Sequence, residues 1–351
     1  MPDRLTPLLA TRPWLLADGA TGSNLFNRGL QSGDAPELWN TQHPDRIADL
    51  ERAFIEAGAD IILTNTFGGT RYRLKLHNAA ERVAELNEAA ARIARGEADR
   101  AGRPVLVAGS IGPTGELMQP LGSLDHDAAS AAFAEQAAAL ARGGVDLLWI
   151  ETMSSVEETE AAIAGARTMD LPVIATLSFD TNGRTMMGIT PSELAGLHRK
   201  HHLAACGSNC GVSPSELVAT IVNLAAASES PAVLVAKSNC GIPQYVDGAI
   251  RFDGSPELMA IYAGLALDAG ARIIGGCCGT TPEHLRRMRA ALEAHVPGPK
   301  PDLATIEAKL GAISTGSQAQ LRGELDRLAG AAAGASGRRG AGRRGARAQE
   351  T

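Results

Sequence analysis

The chain has 351 residues, 44% of them apolar and 21% charged, and a formal net charge of −6. Such a composition belongs to a globular protein with ample core, and the acidic balance argues against a body that binds nucleic acid by replacing its counterions. No apolar run approaches the ~20 residues that span a bilayer. Arg4, Pro7, Arg12 and Pro13 interrupt the N-terminus where a secretory segment would be continuous, so a cytoplasmic protein without membrane contact is expected.

Eight short aliphatic runs follow in order: "WLLADG" (14–19), "DIILTNTF" (60–67), "PVLVAGSIG" (104–112), "VDLLWIET" (145–152), "PVIATLSFD" (172–180), "LAACGSNCG" (203–211), "AVLVAKSNCG" (232–241) and "ARIIGGCCG" (271–279). Each is nearly continuously apolar and ends in small or polar residues, the pattern of a parallel strand buried on both faces. Helical patterns separate them. In 44–60, Ile47, Leu50, Phe54 and Ile55 share one face, with Gly58 near the C-cap. Ser213, Pro214 and Glu216 predict a capping box at the start of 213–227, and Thr281 with Pro282 repeats that start for 281–295. Strands alternating with helices over about 300 residues predict a (β/α)8 TIM barrel; an open doubly wound sheet is the alternative with the same local pattern. The barrel is assigned to residues 1–297, and 298–330 to a linker and short helices, one of them over 303–312. Residues 331–351 hold no apolar side chain larger than alanine and are expected to be disordered. Five arginines in that tail could contact RNA or an acidic partner, but a solvated tail is the favoured reading.

In a barrel of this kind the C-terminal strand ends face one mouth, where chemistry sits. The run ends supply Asp18 and Gly19, Asn65 and Thr66, Ser110, Glu151, Ser178 and Asp180, then Asn209 and Cys210, Asn239 and Cys240, and finally Cys277 and Cys278. All five cysteines, the fifth being Cys206, lie in the C-terminal half, an odd number that fits no disulfide framework. Three thiols converging from strand ends suit tetrahedral zinc with its fourth position open. Adjacent strand residues point to opposite faces, so the chain must leave the strand at "GGCCG" for Cys277 and Cys278 to reach one ion. Gly275, Gly276 and Gly279 are read as supplying the φ freedom, and Gly207 and Gly211 as doing so around Cys210. A vicinal disulfide or a plain buried pair is the competing explanation of "CC". Asp18 and Glu151 are either an acid/base pair or ligands for a substrate ammonium group, with a helix cap or salt bridge as the alternative.

The motifs "DGATGSNL" (18–25), "TNTFGGTR" (64–71), "GSIGPTGE" (109–116), "IETM" (150–153), "SFDTNGRTMMG" (178–188), "GSNCG" (207–211) and "GGCCGTTPEH" (275–284) together resemble the zinc-dependent homocysteine S-methyltransferases. That family includes betaine–homocysteine methyltransferase and the homocysteine module of cobalamin-dependent methionine synthase. The resemblance runs from about Leu15 to His295, and implies zinc on Cys210, Cys277 and Cys278, with Asp18, Gly19 and Glu151 holding the amino-acid end of homocysteine. Zinc deprotonates a coordinated thiol, so homocysteine would attack an electrophilic methyl group as a thiolate and yield methionine, with no general base required.

For the donor, betaine is placed first, with Trp39 of "APELWN" as a donor-side cation–π residue and Phe67, Tyr72 and Tyr245 as further mouth aromatics. The segment "GGTR" after "TNTF" and Thr152 after Glu151 depart from the betaine enzymes toward the cobalamin-linked branch. No corrinoid- or folate-binding segment follows the barrel in the sequence, so a small donor or a separate corrinoid protein partner is expected. Cys240 is read as a small packed residue rather than a fourth zinc ligand. Outside this class, a closed structural zinc site and a lyase using Asp18 and Glu151 stand as alternatives. Self-association into a homo-oligomer is left open.

Overall fold

A computed structural model of the chain describes residues 3–228, 232–246 and 249–324. The tail over 331–351 lies outside the described residues, as does the side chain of Tyr245. Eight parallel strands run β1 (Leu15–Leu16), β2 (Ile61–Leu63), β3 (Leu106–Ile111), β4 (Leu147–Met153), β5 (Val173–Leu177), β6 (Ala205–Cys210), β7 (Leu234–Ser238) and β8 (Ala271–Gly276). Hydrogen-bonded neighbours follow the order β1-β8-β7-β6-β5-β4-β3-β2. The remaining seam, between β1 and β2, is closed by a parallel bridge from Ala17 to Ile61. There the N–H of Asp60 donates to the Leu16 carbonyl at 2.6 Å and that of Asp18 to Ile61 at 3.0 Å. The sheet is thus a closed barrel, not an open doubly wound sheet.

Each strand is followed by a helix: α1 (Pro44–Glu56), α2 (Val83–Arg100), α3 (His126–Gly143), α4 (Val156–Ala166), α5 (Pro191–His201), α6 (Pro214–Ala227), α7 (Pro256–Asp268) and α8 (Pro282–Glu293). Alternation along the strands divides the core into two layers. Leu15, Ile61, Leu106, Leu147, Trp149, Ile174, Val235 and Ile273 fill the barrel, while Leu16, Ile62, Val107 and Leu148 pack outward against the helices. A helix not foreseen, Leu5–Thr11, places Leu5 and Leu9 in the inner cluster and stoppers the end at the strands' N-termini. Arg272 pins it, donating to the carbonyls of Leu9 and Arg12 at 2.6 Å each.

The capping motif at α6 is half of what was expected. Ser213 accepts from the Glu216 N–H at 3.3 Å, but the Glu216 carboxylate turns away from the cap. It accepts instead from the Ser314 N–H and the Ser317 hydroxyl, and so ties down the C-terminal helices Leu303–Leu310 and Thr315–Leu321. At the next turn of contact, Gly316 donates to Asn182 and Gln320 to the Gly183 carbonyl, both at 2.6 Å. The segment therefore ends beside the β5–α5 loop, on the mouth side of the barrel.

Candidate metal centre and substrate cavity

β8 ends at Gly276, so Cys277 and Cys278 leave the ladder where two sulfurs can be aimed together. The Cys277 N–H donates to the Ser238 carbonyl at 2.6 Å, and the Cys278 N–H to Asn239 Oδ1 at 3.1 Å. Asn239 Nδ2 in turn donates to the Gly211 carbonyl at 2.6 Å. One asparagine at the end of β7 thus locks the β8 turn to the β6 turn. Cys210 itself takes φ +62 and Gly211 φ +74. A left-handed residue with a Cβ costs about 1–2 kcal/mol, and here it swings the Cys210 thiol back toward the mouth. The three sulfurs lie within 4.8 Å of one another, with Cys210 and Cys278 at 3.7 Å, and all are free thiols.

The glycines act differently from the sequence reading. Only Gly279 (φ +81) and Gly211 use the left-handed region. Gly276 and Gly207 are required by close approach: a Cβ would sit 2.2 Å from Thr280 Oγ1 and 2.0 Å from the Val235 carbonyl oxygen, respectively. The thiols share protons as a group. Hydrogen bonds to the other two sulfurs push Cys210 up, while accepting from Cys210 and Cys277 holds Cys278 down. A half-buried trio of soft sulfur donors within 4.8 Å of one another fits a thiophilic divalent cation such as zinc.

The trio forms one wall of a cavity of about 350 Å³, which Gly19, Ser110, Glu151, Thr152 and Lys237 also line. Gly19 admits no side chain, since a Cβ would meet the Thr280 carbonyl oxygen at 2.6 Å. Glu151 projects inward from β4 and accepts from Ser110 Oγ at 2.5 Å. Burial, reinforced by Cys277 and Asp18 and opposed by Lys237, pushes its carboxyl up to about 7. Its aim depends on Asn209, whose Oδ1 accepts from the Thr152 N–H at 2.8 Å and from Thr176 Oγ1 at 2.7 Å. Asn209 Nδ2 donates to Thr152 Oγ1 at 2.7 Å, which stabilises Thr152 at φ +62 directly after Glu151.

Asp18 is buried beneath the cavity and absent from its wall. Its Oδ2 accepts from the Leu63 N–H at 2.7 Å and its Oδ1 from Lys237 Nζ at 2.6 Å. Burial raises the Asp18 carboxyl against the pull of that ammonium. Sequence reasoning missed Lys237, which sits inside an apolar run; the signal was its parity, two residues after inward-facing Val235.

Trp39 does not reach the cavity. It is 5% exposed, edge-on to His43 at 4.9 Å between ring centres and covered by the Arg46 guanidinium. Among the described residues Phe67 is the one Phe, Trp or Tyr side chain on the cavity wall, with Gly112 left bare to make room for its ring. Tyr72 packs against the core away from the cavity, with Lys75 over its ring. Cys240 is fully buried, donates to the Gly254 carbonyl at 3.1 Å and stands outside the thiol trio. Cys206 is buried in the outer core layer.

A family profile described as homocysteine S-methyltransferase matches residues 15–292. The methionine synthase of Mycobacterium tuberculosis is 31% identical over 297 residues, 79% of this chain and 24% of that protein. The methionine synthase of Mycobacterium leprae is 29% identical over the same 79% of the chain and 24% of its own length. The chain thus spans about a quarter of these relatives. Among solved structures, the metallated homocysteine methyltransferase MmuM from Escherichia coli superposes with a TM-score of 0.69 at 25% identity, covering 82% of this chain and 99% of that one. A matched profile spanning the whole barrel, joined to a thiol trio at the ends of β6 and β8, has one reading: the chain belongs to the homocysteine S-methyltransferase family.

Proposed function

We propose that the chain is a zinc-dependent S-methyltransferase that methylates the thiol of homocysteine to give methionine. The observation that carries this reading is that Cys210, Cys277 and Cys278 share a cavity wall with Glu151. A bound zinc ion would supply one thing, a substrate thiol held deprotonated at neutral pH. The chain's own residues do the rest. Cys210, Cys277 and Cys278 hold the ion, Glu151 receives the substrate ammonium, and Ser110 fixes the Glu151 carboxylate. Asn209 keeps the strand end carrying Glu151 in register with the one carrying Cys210. Gly19 leaves space for the amino-acid backbone, and Asp18 serves from below as the counter-ion of Lys237. Free thiols in this number suit a reducing compartment such as the cytoplasm.

For the donor, burial of Trp39 weighs against betaine, because a trimethylammonium group is usually held by a cage of aromatic rings and Phe67 is the one Phe, Trp or Tyr on the cavity wall among the described residues. Delivery by a methyl-carrying corrinoid partner is better supported. Among the described residues, most exposed large apolar side chains stand in the loops at the mouth, including Phe67, Leu117, Leu121, Met186, Met187 and Ile242. Exposed apolar side chains gathered on the loops of one face suit the docking of a partner there. The test is methionine formation from homocysteine with betaine, with sulfonium donors and with a methylated corrinoid protein, using zinc-loaded enzyme. Turnover with betaine alone would reverse the choice of donor, and no methionine with any of the three would sink the methyltransferase reading.

A further inference from the structure

Lys237 is unusual for where it lies. Its side chain is 2% exposed, and it is the one lysine or arginine that is buried among the described residues. Asp18 at 2.6 Å neutralises it, yet a buried ion pair is weak support for a fold, since an apolar pair of like volume does as well or better. The pair is also lopsided. Both oxygens of Asp18 are committed, to Lys237 and to the Leu63 N–H, and Asp18 does not reach the cavity, whereas Lys237 does. An ammonium carries three donors. One goes to Asp18, and the Trp149 ring lies 5.3 Å from the nitrogen. The same cavity holds Glu151 on β4, whose Oε1 is on Ser110, and the thiol trio at the ends of β6 and β8. A zwitterionic amino-acid thiol needs these three functions: an anion, a cation and a thiophilic centre.

We infer that Lys237 binds the carboxylate of the amino-acid thiol, in the cavity where Glu151 takes its ammonium group. Asp18 is then a positioning residue that holds the lysine charged and directed. The inference rests on the homocysteine reading above and adds to it a residue that discriminates amino acids from simple aminothiols.

The experiment compares binding of homocysteine and of 3-aminopropane-1-thiol, which lacks only the carboxylate, to zinc-loaded protein by calorimetry, so that no methyl donor is involved. The unaltered protein should prefer homocysteine by about ten- to a hundredfold, the worth of one charge-assisted hydrogen bond. Lys237→Met should erase that preference by weakening homocysteine alone, and Lys237→Arg should restore part of it. Because Lys237→Met strands Asp18, the double variant Asp18→Asn/Lys237→Met, with neither charge, is measured beside it, with zinc content as the check on folding. Equal weakening of both thiols in the double variant would overturn the inference, since Lys237 would then act only through the fold. Equal affinity of the unaltered protein for both thiols would overturn it as well, leaving the homocysteine reading intact. Binding of neither thiol would overturn both.

Discussion

Glu151→Gln separates the demands of the site from those of the fold. Burial moves this carboxyl from 4.5 to about 7, so the ionised form is roughly 3 kcal/mol worse off in the folded protein than in the unfolded chain. The folded value lies above the unfolded one, and the folded state holds the proton longer. Its contribution to stability is therefore full below about pH 4.5, falls as the pH rises toward about 7, and is lost above that. Glutamine keeps an oxygen for Ser110, which donates at 2.5 Å, and carries no charge to desolvate. In urea titrations of the metal-free protein, the variant should be more stable than the original at pH 8 by up to about 3 kcal/mol, and should match it near pH 4.5. The same change should weaken homocysteine by about ten- to a hundredfold through the lost bond to its ammonium group, with zinc content unaltered. A variant less stable at pH 8 that binds homocysteine normally would refute both halves of the reasoning, and loss of zinc would make Glu151 a ligand.

Replacing Cys210, Cys277 or Cys278 by alanine should take zinc from near one per chain to near zero and abolish methylation, while circular dichroism shows the barrel intact; retained metal with full activity would remove that residue from the ligand set. Asn209→Ala strands the N–H and hydroxyl of Thr152 and removes one partner each from Thr176 Oγ1 and Cys277 Sγ, which should lower the melting temperature by roughly 5 °C and raise the homocysteine KM; an unchanged KM would mean that Glu151 is aimed by something else. Trp39→Ala should cost about 3–5 kcal/mol as a core truncation and leave the KM for the methyl donor unchanged; a selective rise in donor KM would return Trp39 to the cavity.

The thiol trio was legible because cysteines are scarce and strand ends in a barrel all face one mouth. Position in the chain then amounts to position in space, and Cys210, Cys277 and Cys278 needed little else. Trp39 was misplaced for the opposite reason: it opens a four-residue helix, Trp39–Gln42, in the long β1–α1 connection, too short for periodicity to say which way a side chain turns, and it packs against His43 and Arg46. The roles of Asn209 and Asn239 depend on bonds between strands that are distant in sequence, so nothing local marks them. Glycines report only that a Cβ is forbidden, and whether by φ or by a neighbour, as at Gly276 and Gly207, depends on packing. Glu216 matched the capping pattern, and a tertiary contact to Ser314 and Ser317 claimed its carboxylate.

The inward side chains of the strands, Leu15, Ile61, Leu106, Trp149 and Ile273 among them, fill the barrel below the cavity, with Leu5 and Leu9 beneath them, which leaves a molecule in the cavity one way in and out. Under the proposed reaction this dictates traffic as well as shelter. Homocysteine, reaching down to Glu151, has to arrive before the methyl donor covers it, and methionine cannot depart until the spent donor has withdrawn. Steady-state kinetics should accordingly be ordered, with homocysteine first on and methionine last off. Methionine should then compete with homocysteine and be noncompetitive toward the donor. A barrel packed solid beneath its cavity would in this way set the sequence of events at the mouth.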